Sequence, residues 1–107
     1  MTWICNAFSL QMLVQDDAVV KTKSVDKDFV KALPSLESAI GHADTAAVVS
    51  HDLEREVPQN RANIKLAEGE FLIVAQFSGG RLPEGATKLP EGTTLKYLKV
   101  QVAYPEE

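Results

Sequence analysis

Five consecutive apolar residues, Phe71–Leu72–Ile73–Val74–Ala75, restrict what this chain can fold into more than any other stretch. A strand with one wet face alternates apolar and polar side chains, whereas an unbroken run of this length fits a strand covered on both faces. The remaining sequence must therefore supply two covering layers. Asp26 is placed to open a short helix that runs to Leu33 and is stopped by Pro34, and Asp44 or Thr45 can cap a second helix that runs to about Arg55. Further strands are expected at Thr2–Asn6, Ala18–Val25 and Leu95–Tyr104, with a brief extended piece at Leu36–Ile40. Ala62–Leu66 alternates as a strand before a Glu68–Gly69 hairpin turn, and Ser9 can cap a helical turn within Ala7–Leu13.

This order mixes hairpin-like and crossover connections. It predicts an α/β fold, a single domain over residues 1–107 with one mixed β-sheet flanked by short helices. The peptide Leu-Pro-Glu-Gly, at 82–85 and again at 89–92, reads as two turns rather than a structural repeat.

Composition narrows the function. The formal charge of −4 argues against a partner such as long DNA or RNA, which a basic face would hold, but a few arginines and backbone amides can still bind a small anion. No apolar run approaches the roughly 20 residues that span a bilayer, so a soluble, cytoplasmic protein with no membrane partner is expected. One cysteine, Cys5, and two histidines nine positions apart give no recognisable metal-ligand spacing, and no nucleotide-loop or dehydrogenase motif implies a cofactor.

Proton-transfer chemistry near neutral pH starts from the two histidines. His51 falls within the second expected helix and reads as an exposed helical residue. His42 follows Gly41 at the end of an extended segment and precedes a helix N-terminus, where backbone amides can face a phosphate. Spacing and composition lead as far as an anion-binding site, without naming the anion.

Taken together, Asn6–Ala7–Phe8–Ser9–Leu10–Gln11–Met12–Leu13, Ala39–Ile40–Gly41–His42–Ala43–Asp44–Thr45, Asn60–Arg61 and Arg81–Leu82–Pro83–Glu84–Gly85 resemble one family, in its order and over nearly the whole chain. It is the viral type III anti-CRISPR ring nucleases, with their cellular CRISPR-associated counterparts. The resemblance implies a metal-independent enzyme and a homodimer that encloses cyclic tetra-adenylate across its two-fold axis. Such an enzyme cleaves the ring to linear di-adenylates ending in 2′,3′-cyclic phosphate and so switches off type III CRISPR signalling.

By the same resemblance His42 is the general acid, and Arg81 and Glu84 are its active-site partners. Asn6, Ser9, Gln11, Asp44, Thr45, Arg61, Ile64 and Gln76 match ligand-pocket positions. Asp44 stands where relatives usually carry serine, which leaves it as a lost ligand contact or a cap. Glu91 shares its tetrapeptide with Glu84, but only Glu84 follows an arginine by three residues. The alternative reading is a module that sequesters cyclic oligoadenylate without turnover.

Overall fold

A computed structural model describes residues 2–79 and 82–105. In chain order the elements are β1 (Thr2–Cys5), a 3-10 turn (Leu10–Met12), β2 (Val19–Val25), α1 (Lys27–Lys31), β3 (Leu36–Ser38), α2 (Ala43–Leu53), β4 (Phe71–Ser78) and β5 (Thr94–Ala103). They form one five-stranded sheet in the order β2-β5-β4-β1-β3. The apolar run is the middle strand. Leu72, Ile73, Val74 and Ala75 are all buried, with Ile73 and Ala75 facing one layer and Leu72 and Val74 the other.

The first layer is helical. Val30 of α1 and Ala46, Val49 and Leu53 of α2 pack on Ile4, Ile73, Ala75 and Tyr97. Asp26 caps α1 as its sequence suggests, accepting from the Phe29 amide at 2.8 Å. Arg55 satisfies the other end of α1, donating to the Leu33 carbonyl at 2.6 Å and to that of Lys31 at 3.2 Å. The Tyr97 hydroxyl donates to Asp52 at 2.8 Å and so pins α2 to β5; burial, then the neighbouring carboxylate, holds its phenol above the ordinary range.

The second layer is irregular, and here the sequence reading needs correction. Ala62–Leu66 is not a strand. It crosses the sheet beside residues 6–14 and meets them in a single parallel bridge, Leu13 to Leu66, where the Leu66 amide donates to the Met12 carbonyl at 2.8 Å. Its alternation is nevertheless physical, because Ile64 and Leu66 bury against the sheet while Asn63 and Lys65 face solvent. Alternate burial needs only one apolar face, whereas a strand also needs a hydrogen-bonded ladder. The Glu68–Gly69 turn forms, with the Glu70 amide on the Ala67 carbonyl at 3.1 Å, but it joins a segment with no strand ladder to β4 and makes no hairpin.

Strand direction decides where chemistry can gather. β1 pairs in parallel with both β3 and β4, setting Ile4 opposite Ser38 and Ile73, and β5 is antiparallel to β4 and β2. The carboxyl ends of β1, β3 and β4 therefore share one end of the sheet. Cys5, at the end of β1, is buried, and burial pushes its thiol up to about 11, so it stays protonated and unreactive at neutral pH.

Because Ile73 is fully enclosed, Ile73→Ala is expected to lower unfolding stability by about 2–5 kcal/mol in denaturant titration. Val19→Ala, at an edge position 52% exposed, is expected to cost under about 1 kcal/mol.

Candidate functional site at the carboxyl ends of the parallel strands

In open α/β sheets, ligands settle outside the carboxyl ends of parallel strands, where the connecting loops diverge. Here β1 runs into Asn6, β3 leads to Gly41–His42, and β4 ends in Gln76–Ser78 before the following loop. Most of the site residues read from the sequence come from these connections or the first turn of α2, while Arg61 and Ile64 come from the segment between α2 and β4 and Gln76 from within β4. They fall into three groups.

The first group surrounds the start of α2. His42 is extended, with φ −117° and ψ 131°, and is the N-cap of the helix that begins at Ala43, rather than Asp44 or Thr45. His42 makes no capping bond through its side chain, and its ring is exposed. Asp44 and Thr45 lie half-buried in the first turn. Asp44 is thus not a cap: its Oδ2 accepts from the Gly85 amide at 2.9 Å. That bond brings the residue next to Glu84 against the turn that follows His42.

Behind His42, the end of β3 is gripped by the 59–61 segment. Asn60 donates through its side chain to the Ser38 carbonyl at 2.7 Å and through its amide to the Ile40 carbonyl at 2.8 Å. Gln59 and Arg61 both reach the Gly41 carbonyl, at 3.0 and 3.3 Å. A Cβ on Gly41 would stand 3.1 Å from Arg61 Cγ, so the glycine is what lets the arginine stem lie against the chain. Arg61 is exposed and keeps further guanidinium donors for a ligand.

The second group is Asn6 and Gln76. They line a cavity of about 330 Å³ with Phe8, Val20 and Leu98, on the face away from the helices. Ser9, Gln11 and Ile64 form the third, around a separate concavity of about 500 Å³ shared with Met12 and Lys65. Ser9 holds the 3-10 turn by accepting from the Gln11 amide at 3.2 Å, as a cap there should. Ile64 contributes an apolar wall.

The loop after β4 carries Glu84; Arg81 lies outside the described residues. Its two Leu-Pro-Glu-Gly peptides form matching turns, closed by Ala86 on the Pro83 carbonyl at 3.1 Å and Thr93 on the Pro90 carbonyl at 3.2 Å. Gly79 closes the loop at its base. A Cβ there would stand 2.5 Å from the Gly92 carbonyl oxygen, and its φ of +103° suits glycine alone. Glu91 therefore sits at the base and Glu84 at the end that touches α2, which separates two carboxylates the sequence could not tell apart.

Two residues join the site that the sequence did not single out. Gln59 gives no local signal, because its partner Gly41 is remote in the chain. Lys96 stands directly opposite Gln76 in the β4–β5 register, and only that pairing reveals a cation beside the amide.

Among the described residues, no group of three or more His, Cys, Asp or Glu side chains could hold a metal ion, and no helix is long and apolar enough to cross a membrane. A family model described as STIV B116-like matches residues 2–100. The fold is similar to that of B116 from Sulfolobus turreted icosahedral virus, with a TM-score of 0.76 at 21% identity, covering 94% of this chain and 97% of that one. No curated protein matches the sequence.

Gly79→Ala is expected to open the loop at its base. Amide exchange at Ala86 and Thr93 should rise well above wild type, while Lys88→Ala, at an exposed position of the same loop, should leave it unchanged.

Proposed function

The chain belongs to the STIV B116-like family, and we propose that it is a metal-independent ring nuclease that cleaves cyclic tetra-adenylate between two copies of itself. One observation carries this reading. Of the two histidines, His42 is the one at the carboxyl ends of the parallel strands, exposed at the N-cap of α2, with the loop that bears Glu84 bonded to the same helical turn.

The chemistry asks little beyond position. RNA carries its own nucleophile, and a 2′-hydroxyl held in line with the adjacent phosphorus attacks it without an activated water. A bond forms from the 2′-oxygen to phosphorus as the bond to the 5′-oxygen breaks, and imidazolium His42 gives the departing oxygen its proton. The 2′-hydroxyl proton passes to Glu84 or to solvent, and Arg81 stabilises charge on the phosphoryl oxygens. Cleavage at two opposite phosphates leaves two linear di-adenylates with 2′,3′-cyclic phosphate ends. No step draws on a metal ion.

Size supports a homodimer. The cavities that the site residues line in one chain, about 330 and 500 Å³, fall in the lower part of the range of about 300–1,000 Å³ that suits drug-sized ligands. A two-fold assembly doubles the binding surface and matches a ring of repeating units. Leu10, 75% exposed between Ser9 and Gln11, is an apolar contact available to the second copy. The reaction's biological sense is removal of a type III CRISPR second messenger, and the alternative is sequestration of that ring without turnover.

His42→Ala is expected to bind cyclic tetra-adenylate yet cleave it at least about 100-fold more slowly than wild type in single-turnover assays, as loss of a general acid predicts. Excess EDTA should leave the wild-type rate unchanged. Stoichiometric binding with no product from a large excess of ring would establish sequestration in its place.

A further inference from the structure

Asp44 occupies the first turn of α2, two residues after His42, where a carboxylate is favoured by the helix dipole and usually satisfies an amide of its own helix. Here it does something else. Its Oδ2 takes the amide of Gly85, 41 positions further along the chain, at 2.9 Å.

What lies at the other end of that bond gives it meaning. The loop after β4 is closed at its base by Gly79 against Gly92 and Thr93, and folded internally by the Pro83–Ala86 and Pro90–Thr93 turns. A surface loop whose ends lie close and whose turns are hydrogen-bonded is compact, so a bond far from its base bears on where the loop lies. Gly85 holds that place, adjoining Glu84, and its φ of +80° is the conformation that presents the amide while completing the turn.

Electrostatics fit the same role. A free carboxylate beside His42 would repel an anionic ligand. An amide hydrogen bond offsets part of that charge and is stronger for being charge-assisted.

We propose that Asp44 is a positioning residue: its carboxylate fastens the loop over residues 82–92, and with it Glu84, to the first turn of α2 beside His42. This rests on the reading of His42 and Glu84 as site residues. It assigns Asp44 neither a ligand contact nor a capping role.

The test compares full-length wild type, Asp44→Ala and Asp44→Asn by amide exchange at Gly85, single-turnover cleavage of cyclic tetra-adenylate, and ring affinity. In Asp44→Ala, Gly85 exchange should rise by about tenfold or more, as loss of one charge-assisted bond predicts. The cleavage rate should fall about 10- to 100-fold through misplacement, with affinity nearly unchanged. Asp44→Asn, whose amide oxygen can still accept, should restore protection and most of the rate. Unchanged Gly85 exchange in Asp44→Ala overturns the proposal, as does an equal loss of rate in Asn and Ala, which would mark a charge acting on the ligand directly. Absence of ring cleavage by wild type would sink the nuclease reading, while Gly85 exchange would still decide whether Asp44 fastens the loop.

Discussion

Burial of β4 on both faces is the constraint from which the rest of this structure follows. Full enclosure of a side chain such as Leu72 or Ile73 contributes about 1.5–3 kcal/mol, and no one layer can enclose the four consecutive residues Leu72 to Ala75. The chain must cover the strand twice, once with α1 and α2 and once with the segments 6–14 and 60–66. Parallel pairing of β1 with β3 and β4 then delivers three strand ends to the same side. The gathering of Asn6, His42 and the Glu84 loop is a consequence of that packing.

The two covering layers differ, and the difference shapes the site. Helices satisfy their own backbone, so the first layer is regular and its polar contacts, Tyr97 to Asp52 and Arg55 to Leu33, serve to fix it. The second layer lacks such self-sufficiency and leaves grooves between its strips. Ser9, Gln11 and Ile64 line one groove; Asn6 and Gln76 line another that opens beside the edge strand β2. A ligand reaching all three groups of residues must extend over the sheet end from the helical side to the irregular side.

Much of the architecture was legible from side-chain patterning, because burial leaves a periodic trace: the middle strand, β5, β2 as a strand and the helix capped by Asp26 all declare themselves this way. Ala62–Leu66 misled for the same reason, since burial on one face looks alike with or without a ladder. Asp44 misled because a carboxylate at a helix start ordinarily caps it, and its partner, Gly85, is too remote in sequence to be foreseen. Lys96 and Gln59 were silent until pairing and folding set them beside Gln76 and Gly41. The matching Leu-Pro-Glu-Gly turns, by contrast, were readable from glycine alone, as each needs a positive φ at its fourth residue.

In the proposed function each chain supplies half of a chamber for one cyclic tetra-adenylate. Calorimetric titration of the ring into His42→Ala, which should bind without cleaving, tests it most directly. A shared chamber requires saturation at one ring for every two chains, on a species whose mass by light scattering is that of a dimer. Saturation at one ring per chain on a monomer, or no heat at all, would contradict it.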